Sequence, residues 1–148
     1  MSNQLTTKNS DDGISMTFYY LDTGLSGNLG HHASYCRMIS NEVKKRESCD
    51  LRVLGHNGVS DDLRSELGVE PFFRIGTYDN RYRTQDPIAG WLSNFISSCE
   101  ITSEELGSLT DVTSKDTVFF CSVFPCQYYC ALKWISSLSP ANRPRVFV

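Results

Sequence analysis

The sequence lacks the marks of a secreted or membrane-spanning chain. No positively charged start leads into an apolar run, and no apolar stretch approaches the ~20 residues that a membrane span needs. It also lacks a basic face. The formal net charge is −3 and the Lys and Arg residues are scattered, so nucleic acid is not an expected partner. The densest cationic run, Lys44-Lys45-Arg46, falls where a helix is expected to end, and cations there complement the helix dipole. Among its six cysteines no CxxC pair occurs, and Cys126 and Cys130 have no histidine near them in sequence. Neither a structural zinc nor a disulfide framework is therefore expected. Cys36, Cys99, Cys121 and Cys130 lie in apolar periodic segments, where a free thiol packs as a small hydrophobe. The expectation is a reduced, cytoplasmic protein without a bound metal. Three phosphate and metal signatures are missing as well. No glycine is followed by Lys-Ser or Lys-Thr, the glycines do not fit GxGxxG, and there is no DxD.

What remains is an ordinary globular composition. With 148 residues, 40% hydrophobic and 21% charged, the chain suits one domain with a real core. Residues 1–14 are polar and aperiodic and are expected to form a disordered leader, leaving 15–148 as the domain. Met16 to Leu21 reads as a strand apolar on both faces, hence central in a sheet covered on both sides. Tyr35, Cys36, Ile39 and Val43 recur at helical spacing, with Asn28 as the expected cap. Leu51 to Leu54 is a second strand, expected to stop at Gly55.

Ser60 is placed to cap a short helix that carries Asp61 and Asp62 in its first turn and Gly68 past its end. Phe72 to Ile75 is a candidate third strand, followed by a polar loop of tyrosines and arginines to Gln85. Asp86-Pro87 opens a helix with an unbroken apolar stripe over Ile88, Trp91, Leu92, Phe95, Ile96 and Cys99. A second short helix and a loop are expected over 100–115, a strand over Thr117–Val123, and an exit turn over Phe124–Gln127. Ala131, Trp134, Ile135 and Leu138 mark one more helix, and Arg145–Val148 a fifth strand. This alternation implies an α/β fold with a Rossmann-like, doubly wound parallel sheet in three α/β/α layers. With strand order 3-2-1-4-5, the direction of winding switches between the first and fourth strands. Ligands bind such sheets at that switch, outside the carboxyl ends of the strands.

Two loops meet there. The first carries Gly24, Gly27 and Gly30 into a helix that opens with His31 and His32. Glycines let backbone amides approach an anionic or sugar group, and a helix N-terminus adds partial positive charge. The second holds Pro125, Cys126 and Gln127. His56 and Asn57, at the end of the second strand, border the same crevice. The candidate catalytic residues are His31 and His32, of which only one is expected to face the crevice, since neighbours on a helix point ~100° apart. The candidate substrate-binding residues are Gly27, Asn28, Gly30, His56, Asn57, Cys126 and Gln127. Cys126 also stands where a strand gives way to a helix, a setting that lowers a thiol's pKa.

The opening strand, the run Gly-Asn-Leu-Gly-His-His-Ala-Ser-Tyr, the following helix and the strand ending Leu-Gly-His-Asn resemble the N-terminal domain of a GT-B glycosyltransferase. The similarity is to the retaining, glycogen-synthase-like (family 4-like) enzymes, sharp over about 20 residues of the glycine loop and helix and loose over Met16–Val148. It implies an acceptor-side domain facing a C-terminal donor-binding domain, with a nucleotide sugar as donor, a glycosyl acceptor, and no covalently bound cofactor. Gly27 and Gly30 would then approach the donor diphosphate, and His31 or His32 would contact sugar or phosphate. The E-x7-E pair of the donor domain is absent, as is a second Rossmann repeat, so the chain is expected to be part of a longer protein and inactive alone. Two other functions fit the same fold: a non-catalytic ligand-binding or regulatory domain, and a nucleotide-dependent oxidoreductase.

Overall fold

A computed structural model describes residues 16–28, 30–76, 79 and 85–148; the leader over 1–14 and most of the Tyr/Arg loop lie outside the described residues. The chain alternates as β1 (Met16–Leu21), α1 (His31–Val43), β2 (Cys49–His56), α2 (Asp61–Leu67) and β3 (Val69–Phe73). It continues as α3 (Pro87–Gly107), β4 (Thr117–Phe120), α4 (Pro125–Ser137), a 3-10 turn (Pro140–Asn142) and β5 (Arg145–Phe147). All strand pairs are parallel, in the order β3-β2-β1-β4-β5. This is a Rossmann-like α/β/α fold.

Strand alternation divides the core between two layers. Tyr19, Leu21, Leu54, Val118 and Phe120 face α3 and α4, where they meet Leu106, Cys130, Ala131 and Trp134. Tyr20, Val53, Val69 and Cys121 face α1 and α2, packing on Ala33, Cys36 and Leu63. β1 is hydrogen-bonded on both edges, which explains an apolar run without polar alternation.

Several boundaries differ from the sequence expectation. Asn28 does not cap α1; the N-cap is Gly30 at φ 91°, without a side-chain cap bond, and Asn28 Oδ1 accepts from Arg37 Nη2 at 2.5 Å. β2 runs through Gly55 to His56 because that glycine is needed inside the strand. A Cβ there would stand 2.6 Å from Val69 Cγ1 and 3.0 Å from the Leu25 carbonyl oxygen. β3 starts at Val69, directly after α2, because Gly68 at φ 66° turns the chain within one residue.

The expected short helix over 100–115 does not exist separately. α3 is one helix of 21 residues, since no proline falls inside it and its inward face continues through Thr102 and Leu106. Asp86 Oδ1 caps it, accepting from the Ile88 and Ala89 amides at 2.9 and 3.4 Å. β4 ends at Phe120, where Ser122 at φ 55° turns the chain, and residues 125–127 form the first turn of α4 rather than an exit turn.

Gly68 offers a clean test of local backbone chemistry. No atom lies within 4 Å of a Cβ built there. Gly68→Ala should therefore cost only the left-handed penalty, about 1 kcal/mol, read as a lower urea midpoint at unchanged slope. An unchanged midpoint would contradict it.

Candidate functional site

β1 and β4 lie side by side, but their following helices pack on opposite faces of the sheet. The loops leaving their carboxyl ends therefore diverge, the topology at which such sheets bind ligands. Asp22, the first residue after β1, holds the left wall. It is fully buried, and its amide donates to the Leu54 carbonyl at 3.0 Å, one step beyond the strand. Its carboxylate accepts from the Gly24 amide at 2.9 Å and from His32 Nδ1–H at 2.8 and 2.9 Å to the two oxygens. The Tyr20 hydroxyl donates to it at 3.3 Å, and burial keeps that phenol protonated by raising its pKa well above the ordinary value.

His32 is thereby fixed beneath the loop. Gly24 must be glycine at this point, because a Cβ would stand 2.3 Å from His32 Cε1. His31 is the exposed member of the pair. Its ring stacks on His32 with centroids 4.2 Å apart and meets Tyr35 edge-on at 5.8 Å. The two neighbours thus occupy different environments, one buried on a carboxylate and the other at the mouth of α1. No acidic residue lies in the first turn of α1. Gly27 and Gly30 have no atom within 4 Å of a built Cβ, so the loop presents open backbone there.

The right wall is more committed. Gln127 is buried; its Oε1 accepts from the Phe124 amide at 2.7 Å and its Nε2 donates to Thr23 Oγ1 at 2.6 Å. It ties the β4 loop to the β1 loop across the switch point. Cys126 is half-buried in the first turn of α4, and burial pushes its thiol pKa up rather than down, against the sequence expectation. Burial likewise pushes Cys36 to about 11 and Cys99 to about 12. These thiols stay protonated at neutral pH and are poor nucleophiles.

His56 stands at the carboxyl end of β2. Its Nδ1 accepts from the Gly58 amide at 3.0 Å, which places the proton of the neutral ring on Nε2, 3.8 Å from Asp79 Oδ2. Its amide donates to the Leu25 carbonyl at 3.1 Å, joining it to the glycine loop. Asn57 is exposed, and its amide donates to the Phe73 carbonyl at 2.7 Å. Asn28, held by Arg37, shares that guanidinium with Glu66 and so tethers the loop to α2.

The structure thus brings the glycine loop, His31, His32 and His56 to one edge. Sequence reasoning missed Asp22 and Thr23. Asp22 could have been found as the carboxylate directly following a strand whose last four residues are apolar, ten positions before His32. Among the described residues no cluster of three or more His, Cys, Asp or Glu forms a metal site, and no helix is long and apolar enough to cross a membrane. No protein-family model, no curated protein and no solved structure matches the chain.

Proposed function

We propose that the domain is the acceptor-side half of a two-domain, nucleotide-sugar-dependent glycosyltransferase. One observation carries the reading. At the switch between β1 and β4, an open glycine loop runs into α1, whose first turn has neither a side-chain cap nor an acid, with His31 exposed beside it. Backbone amides and the helix dipole there favour an anionic group such as a diphosphate. Asp22 and His32 hold the loop in place, which supports its being a preformed surface.

Burial raises the pKa of the Cys126 thiol, so this reading gives it no nucleophilic role. Its part is to bind and orient. His31, with its ring exposed at the mouth of the helix, is placed to hydrogen-bond a sugar hydroxyl or to donate to a phosphate oxygen. The donor-binding domain and its paired glutamates supply the remaining contacts. The nucleotide sugar is the donor substrate and a glycosyl acceptor the second.

Chemical-shift mapping on the chain tests this, with UDP, GDP, their sugar conjugates and NAD as titrants. Shifts confined to residues 24–32 and 124–128 with a nucleotide or nucleotide sugar are expected. A response to NAD alone, or shifts elsewhere, would overturn the assignment. His31→Ala should weaken that binding about threefold to tenfold, the loss of one hydrogen bond, with unchanged thermal stability. An unaltered affinity would remove His31 from the site.

A further inference from the structure

The turn that leaves β2 holds a reactive pair of residues that the proposed function does not use. Asn57-Gly58 is the one Asn-Gly step in the chain, and both residues are exposed. In such a step the glycine amide nitrogen can attack the asparagine Cγ, because no side chain on the second residue stands in its way. Exposure of Asn57 lets its side chain rotate toward Gly58 without displacing a packed neighbour.

The turn is firmly tied. The Val59 amide donates to the His56 carbonyl at 3.0 Å, the Asn57 amide to the Phe73 carbonyl at 2.7 Å, and the His56 amide to the Leu25 carbonyl at 3.1 Å. Within this frame the Gly58 amide donates to His56 Nδ1 at 3.0 Å. That amide nitrogen is the nucleophile of the attack, so an imidazole stands on the proton that must leave. A Cβ on residue 58 would sit 3.1 Å from Nδ1, so glycine is also what lets the ring come so close. On the other side of the ring, Nε2 lies 3.8 Å from Asp79 Oδ2, and the Gly76 amide donates to that same oxygen at 2.9 Å. A carboxylate behind an imidazole favours the cation that forms when the ring accepts a proton.

We propose that Asn57 is a site of self-modification, at which His56 is the general base that converts it through a succinimide to aspartate and isoaspartate. His56 Nδ1 takes the proton from the Gly58 nitrogen, and that nitrogen forms a bond to Asn57 Cγ. The Cγ–Nδ2 bond breaks, and the leaving amine takes the proton back from Nδ1 and departs as ammonia. Water then opens the ring at either carbonyl. One water is consumed and one ammonia released, and no oxidant or reductant enters the balance. The N–H lies in the peptide plane while the attacking orbital stands perpendicular to it, so base and Cγ approach the nitrogen from different directions. Either product adds a carboxylate at the end of β2, and isoaspartate also lengthens the main chain between His56 and Gly58 by one carbon. The inference holds whichever ligand the glycine loop takes.

The chain would be kept at neutral pH, and conversion of Asn57 followed by mass spectrometry of the tryptic peptide 53–64, with fragmentation separating isoaspartate from aspartate. A synthetic peptide 53–64 carries the same His-Asn-Gly run without the fold. Conversion is expected to be faster in the folded chain than in the peptide. His56→Gln should slow it in the folded chain at least about tenfold, with unchanged circular dichroism, since a positioned general base contributes ~10²–10⁴-fold. The same substitution in the peptide should leave the rate nearly as it was. Conversion no faster in the chain than in the peptide, or His56→Gln converting like the parent, would overturn the proposal. Should His56→Gln fail to fold, the parent chain still decides. Urea beyond its unfolding midpoint should slow conversion to the rate of the peptide in the same urea. Acceleration on unfolding would show that the fold shields the step, and would overturn the proposal.

Discussion

Asp22→Ala should destabilise the fold by about 3–5 kcal/mol, the cost of removing one partner from a buried, hydrogen-bonded pair. The carboxylate accepts from the Gly24 amide, His32 Nδ1–H and the Tyr20 hydroxyl. Alanine would take an acceptor from all three donors in a site with no exposed surface at Asp22, although the Tyr20 hydroxyl also has Cys121 as a partner. Each orphaned buried donor carries its own desolvation penalty of about 1–3 kcal/mol, and partial relaxation keeps the total below their sum. Against a usual stability of about 5–15 kcal/mol, such a variant would be marginal. Asp22→Asn keeps the shape and one acceptor, so its loss should be smaller, about 1–2 kcal/mol. Its amide would satisfy Gly24 with the oxygen and donate to His32, moving the imidazole proton from Nδ1 to Nε2. Urea unfolding measures the first effect and nitrogen-15 shifts of the His32 ring the second. A loss under about 1 kcal/mol for Asp22→Ala would show that the network is not what holds the loop.

Gly55→Ala should cost about 2–3 kcal/mol by overpacking, although alanine is the smallest possible addition. The new Cβ would stand 2.6 Å from Val69 Cγ1 on one side and 3.0 Å from the Leu25 carbonyl oxygen on the other. Val69 is a buried core residue of β3, and the Leu25 carbonyl accepts the His56 amide, so neither can move away freely. The displacement passes to Leu25, which sits in the glycine loop three residues after Asp22. Gly55→Ala should therefore weaken ligand binding at the loop as well as lowering the unfolding midpoint. A midpoint within experimental error of the parent chain would show that β2 and β3 can spread there.

Apart from the helix expected over 100–115, which is the end of α3, order and type of the elements were legible because local signals mark them. Examples are the doubly apolar β1, Asp86-Pro87 at the start of α3 and Gly68 behind α2. What misled was tertiary in origin. Gly55 reads as a strand terminator, yet it is glycine because another loop crosses within van der Waals distance. Ile88, Trp91 and Leu92 read as core because periodicity reports a stripe and not what lies opposite it. The site was half visible in the same way. The glycine loop and His31-His32 stand out in sequence. The division of labour between the two histidines depends on Asp22, whose partners include a residue ten positions away. Gln127 carries no such signal, because Thr23 lies 104 residues from it.

That last separation bears on how the crevice comes into being. The contacts of Asp22 with Tyr20, Gly24 and His32 all span ten residues or fewer, so they close with the first strand-loop-helix unit. β1 pairs with β2 over some thirty residues, but with β4 only after about a hundred residues have been gathered in. Closing that larger loop carries the greater entropy cost and belongs to the later part of folding. One wall is thus set early and locally, while the other arrives with α4, when Gln127 reaches Thr23. During synthesis the glycine loop would be shaped before its opposite wall exists, and the completed crevice would report that the sheet has closed.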